Sequence, residues 1–299
     1  VGSEMCIRDR RRFDETALAL VPRDSLFFGG RSSDMAVSYE STMDLLRAVG
    51  TAAGRDYTQI ISQFEQKAGV DFKKEVVGSL GSTSIGYFNL SQVPSLMALA
   101  TGTAYENVTL VEVADEQALT SAVKKMAAYA QAEPASVSML VPMAPAASVE
   151  TTLLGDIVVY SVVPQGSQFV SPSLAVAKGW LVYGNSKEAV VAAIDRLIAP
   201  AASVRDSTDF LRARSALSKE PSQLAYLNLD NAIDIFYEAF LPNLAHTIDE
   251  AYREGKIDFN SSSLPPAFRV KKNIDGISMA VTTAGNLVDI ELYLSLIHI

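Results

Sequence analysis

Twice this chain alternates apolar with polar or small residues on both sides of a two-residue turn that contains glycine. The stretches are Val149–Val163, turning at Gly155-Asp156, and Ser173–Asn185, turning at Lys178-Gly179. A third such stretch, Asp275–Tyr293, turns at Gly285-Asn286. Side chains of period two flanking a turn that demands positive φ specify β-hairpins, whose strands are antiparallel. No long series of alternating strands and helices accompanies them. The chain is therefore expected to be α+β, with mainly antiparallel sheets and packed amphipathic helices.

The remaining segments supply more strands and the helices. Asp24–Gly30 reads as a strand closed by glycines, followed by helices around Tyr39–Val49, Tyr57–Ala68 and Phe72–Val77. Gly81–Leu90, Pro94–Gly102 and Glu106–Val113 read as strands, the first two joined near Gln92–Pro94. Asp115 suits a helix N-cap, because its short carboxylate can accept the free amides of a first turn. Leu119, Val123, Met126 and Ala130 then recur at helical spacing. Asn185 with Glu188 resembles a capping box before a helix to Ile198, with Val190, Ile194, Leu197 and Ile198 on one face. The strand Gln223–Asp230 feeds a long helix, Asn231–Glu254, with Ile233, Phe236, Phe240, Leu244, Ile248 and Ala251 in one stripe. Pro242 lies inside it and should kink or split it, since it has no amide to donate. The order strand, helices, hairpin occurs in Asp24–Thr101 and again in Gln223–Tyr293. It suggests two similar units, 11–200 and 201–293, with the second cut short.

The two ends do not continue these patterns. Met5–Arg10 can be encoded so that its reverse complement reads Leu294–Ile299, and inverted copies of one DNA stretch resemble a translated sequencing adaptor. Residues 1–10 and 294–299 are accordingly read as foreign, and the rest as a fragment open at both ends.

Discarding those ends removes Cys6, the chain's one cysteine, and His298, leaving His246 as the single histidine. That excludes a disulfide, a thiol nucleophile and the usual Cys- or His-rich metal site. Hydrophobic residues make up 48% and charged residues 20%, so the chain can bury a core without staples. A net charge of −9 without a basic stripe excludes a phosphate backbone as partner. The uncharged run Ile157–Ala177 is interrupted by Pro164, Gly166 and Pro172 and reads as strands and a loop, not a membrane span.

The candidate sites are few. Ser121 and Lys124 have the S-x-x-K spacing of a serine nucleophile with a lysine base, but both lie opposite the Leu119, Val123 and Met126 face. His246 has Asp249 and Glu250 three and four residues on, the spacing of an exposed helix ion pair. The glycines of Gly78–Gly86 lack the lysine of a phosphate loop. Asp230 and Asp234 sit at a helix start, where a carboxylate suits the amino end. The uncharged segment Pro134–Val149, with its three prolines, carries Met139 and Met143, which could contact a partner. Phe169, Trp180 and Tyr183, near the second hairpin, could line a groove. No catalytic, cofactor-binding or metal-binding residues are assigned, and no cofactor is expected.

"LVPRDSLFFGG", Gly69–Phe88, Ala175–Asp195 and the stretch Asp206–Asp234 together resemble the bacterial family known as domain of unknown function 3352. The resemblance implies an envelope location outside the inner membrane, behind an N-terminal signal or anchor, and implies no catalytic residues. The leading expectation is a non-enzymatic envelope module holding a protein or cell-wall partner. The alternatives are a carrier enclosing an apolar or lipid ligand and a serine hydrolase using Ser121 and Lys124.

Overall fold

The computed structural model describes residues 12–53, 56–90, 105–134, 147–164, 171–217, 220–272, 274–284 and 287–296. In chain order the elements begin with β1 (Phe27–Ser32), α1 (Met35–Ala53), α2 (Tyr57–Ala68), β2 (Leu80–Leu90), β3 (Tyr105–Val113) and α3 (Glu116–Ala132). The strands β4 (Ala147–Leu154), β5 (Ile157–Pro164), β6 (Ser173–Ala177) and β7 (Trp180–Gly184) follow, then α4 (Lys187–Ile198) and α5 (Thr208–Ser215). The chain closes with β8 (Gln223–Asn228), α6 (Leu229–Ile235), α7 (Leu241–Arg253), α8 (Ala267–Lys271), β9 (Ile274–Ala284) and β10 (Leu287–Leu296). The fold is α+β. Hydrogen-bonded strands run in the order β10-β9-β8-β1-β2-β3-β7-β6-β5-β4, and the pairs β10–β9, β9–β8, β3–β7, β7–β6, β6–β5 and β5–β4 are antiparallel.

Both expected two-residue turns within the described residues form. Gly155 supplies φ 63° between Leu154 and Ile157. Lys178 and Gly179 adopt φ 52° and 79°, the type I′ pattern whose twist matches that of the flanking strands. The turn at Gly285-Asn286 and the expected strand Pro94–Gly102 lie outside the described residues.

Two local expectations are revised, and the expected break at Pro242 takes a particular form. The cap of α4 is Ser186, whose hydroxyl accepts from the Ala189 amide at 3.1 Å, while the Asn185 side chain accepts from the Asn107 amide at 2.9 Å. Phe72–Val76 is a π turn followed by a 3-10 turn, not a continuous α-helix. The long helix is split into α6 and α7 by a π turn over Phe236–Phe240, with Pro242 in the first turn of α7, where a missing amide costs no helical bond. Its apolar stripe is not packed away: no residue of α7 is buried, and Phe236 and Leu244 are exposed.

The chain divides into two compact units that interleave in sequence, Val1–Gly30 with Gly86–Glu106 and Ala201–Ile299, and Arg31–Ile85 with Asn107–Pro200. The division at residue 200 rests on repeated element order, on which compactness does not bear. In the first unit Phe28, Phe210 and Tyr226 form a buried aromatic trio with ring centroids 5.3, 5.4 and 6.0 Å apart. Burying one such ring is worth about 1.5–3 kcal/mol. Arg214, nearly buried, grips the Glu15 carboxylate through both Nε and Nη2. Asp249 Oδ1 and Oδ2 accept from the amide and hydroxyl of Ser261 at 2.7 and 3.0 Å, tying α7 to the next turn. On β10, Val288, Ile290 and Leu292 are all exposed, and the pairing with β9 extends to Leu296.

The second unit is built on β4–β7. Val159, Ala175 and Val182 point to one face and are buried under α4, through Val190 and Ile194. The alternate residues point to the other face, on which α3 lies. Asp115 caps α3 as expected, its Oδ1 accepting from the Ala118 amide at 2.9 Å, and Leu119, Ala122 and Val123 are its buried residues.

Candidate functional site

The face of the sheet turned away from α4 carries rows of bulky side chains set by strand register. Thr151, Tyr160, Leu174 and Tyr183 stand directly opposite one another across β4, β5, β6 and β7, with Val149 and Val162 in the next row. Above them, α3 presents Val123, Met126 and Ala130, and α2 presents Ile60 and Phe64. The connection after α2 brings in one more aromatic. Gly69 ends α2 in the left-handed conformation at φ 66°, Asp71 caps the π turn through the Lys74 amide, and Glu65 Oε1 accepts from the Phe72 amide at 2.9 Å. Phe72 is thereby stacked on Phe64 with centroids 5.9 Å apart, and Phe64 meets Tyr129 edge-on at 5.2 Å.

These elements do not close on one another. They enclose a cavity of 470 Å³, walled by the aliphatic and aromatic groups just named, with exposed Gln63, Lys67 and Glu133 among its polar lining residues. The volume is within the range of small-molecule sites, about 300–1,000 Å³. Ser173 also lines it, but its hydroxyl is engaged with Ser161 Oγ at 2.8 Å and the Ser171 carbonyl at 2.9 Å. Burial pushes the Tyr160 phenol above its ordinary pKa, so it stays a neutral donor at physiological pH. The chemistry available in this space is mainly apolar burial, with a few polar and charged side chains in its lining.

The residues singled out from sequence are dispersed. Tyr183, half exposed, lines the cavity, whereas Trp180 stands opposite Ala177 and Glu112 at the start of β7 and does not. Met139, Met143 and Phe169 lie outside the described residues. Ser121 and Lys124 are exposed on α3. His246 is also exposed, its Nδ1 3.9 Å from Glu250 Oε2. Asp230 and Asp234 both bind the Lys271 ammonium, at 2.9 and 2.7 Å, and so fasten α8 to α6. Phe64, Phe72, Tyr129 and Tyr160 were not anticipated. Phe64 did carry a signal, since it continues a helical stripe with Ile60. Among the described residues no group of three or more His, Cys, Asp or Glu could hold a metal ion, and no helix is long and apolar enough to cross a membrane.

No family model matches the chain, and no curated protein matches it. Two solved structures, described as crystal forms I and III of TP0453, align over 93% of this chain and over 78% and 79% of their own. Each is 12% identical, with TM-scores of 0.39 and 0.37. At those scores the likeness supports no inference about role.

Proposed function

We propose that this protein is a non-enzymatic binding module that carries an apolar ligand in the cavity between α2, α3 and the β4–β7 face. The observation behind this reading is the 470 Å³ space itself, lined by aliphatic and aromatic side chains on rigid elements. A folded interior is normally packed to crystal-like density. Apolar walls left facing an open space stay in contact with water, and an apolar guest that covers them recovers about 0.8 kcal/mol per buried methylene.

Native mass spectrometry of the purified protein before and after organic extraction tests the carrier reading. A bound apolar species is expected to come away on extraction. Ala130→Phe, which places a ring in the cavity, should weaken uptake of a fluorescent hydrocarbon probe by roughly tenfold or more while the protein still unfolds cooperatively. Unchanged uptake in Ala130→Phe would sink the proposal. On the family resemblance alone, the proposal also places the module outside the cytoplasm. Fractionation of the source cells with an antibody to this chain checks that, and signal confined to the cytoplasm refutes it.

A further inference from the structure

We infer that Tyr160 is the length gauge of the carrier site: its ring, with Val123, ends the apolar cavity and so fixes how long a hydrocarbon tail the protein accepts. This deepens the carrier reading and rests on it. A second depression, of 380 Å³, has among the described residues only Val123 and Tyr160 in common with the first. The order of residues along each element shows how the two lie. On α3, Ala130, Ala127 and Met126 line the first cavity, Val123 lines both, and Thr120 and Glu116 line the second. On β5 the same succession runs through Val162, Tyr160 and Val158, and on β6 Leu174 gives way to Val176. The two spaces therefore lie end to end between helix and sheet, with Val123 on the helix side and Tyr160 on the sheet side where one passes into the other.

The spacing of helix and sheet is held near both ends of α3. Gln131 Nε2 donates to the Val149 carbonyl and to Thr151 Oγ1 at 3.2 and 3.1 Å, and Glu116 Oε2 accepts from the Gly179 amide at 2.9 Å. With the backbones tied in this way, the side chains standing at the junction set the passage between the two spaces, and Tyr160 is the larger of them. Beyond it the sheet still offers Val158 and Val176, while the border carries charges of both signs, Glu116 and Asp156 with Lys124 and Lys178. A tail in the first cavity therefore gains with each methylene until its tip reaches the ring, and a longer tail gains nothing more. Without the ring, the space would continue over Val158 and Val176.

Displacement of a fluorescent hydrocarbon probe from the extracted protein by straight-chain alcohols of increasing length tests this. In the parent, affinity should rise about fourfold per methylene up to a limiting length and then level off. Tyr160→Val, a residue suited to a strand, should move that limit out by several methylenes. Tyr160→Phe keeps a ring and should leave the limit where it was. Thr120 is exposed on α3 and lines the second depression alone, so adding Thr120→Trp to Tyr160→Val fills that space and should bring the parent's limit back. The inference is overturned if the parent shows no limit, if Tyr160→Val keeps the parent's limit, or if Thr120→Trp fails to restore it. Binding of neither the probe nor any alcohol would instead refute the carrier reading itself.

Discussion

Asp249 shows how a single carboxylate fastens two elements. The Ser261 amide, then the Ser261 hydroxyl, and then the nearby Arg253 and His246 hold its pKa below the ordinary aspartate value. A carboxyl whose folded pKa is depressed adds stability above its unfolded pKa, about 3.9, and that stability is lost as pH falls through the lower folded value. Urea unfolding between about pH 5 and pH 2 should therefore be flatter with pH in Asp249→Asn than in the parent. An identical pH profile would show that the contact does not form. This bond was invisible in the sequence, where Asp249 figured only as a neighbour of His246, because Ser261 reaches it across an intervening turn. Glu112 was equally hidden. Its carboxylate accepts from the Ser82 and Thr83 amides at 3.2 and 3.0 Å, and Gly81 leaves it room, since a Cβ there would come within 2.5 Å of its side chain. The Asp115 cap was legible because a cap lies within three residues of the amide it serves.

The start of α4 separates a legible element from a misread boundary. Helical spacing identifies the helix, yet two adjacent polar residues compete for its cap. Ser186 takes that role because the Asn185 side chain is already bound to the Asn107 amide beside it in the sheet. Ser186→Ala should cost about 1 kcal/mol in chemical denaturation, and a loss within error of zero would contradict the assignment. The two hairpins whose turns are described were readable in full, because a turn's demand for positive φ is local and glycine meets it. The fate of Pro242 was readable in part. The sequence implied a break, but not the π turn over Phe236–Phe240 that accompanies it. Apolar periodicity also failed to distinguish a covered face from an open one. Phe64 and Tyr160 carry the same pattern as core residues, and only the tertiary arrangement leaves space between them.

At the scale of the molecule, the α+β class and its antiparallel pairings followed from the hairpins, whereas the neighbours β8–β1 and β3–β7 did not. Those contacts join segments far apart in the chain, and no short-range rule selects them. The far end of that strand order is β10, with Val288, Ile290 and Leu292 exposed along it. An outermost strand with a greasy side invites another copy to add on. Stocks of this polypeptide should become turbid on concentration and storage, and light scattering should show that Ile290→Lys, which places a charge mid-strand, keeps them clear for longer.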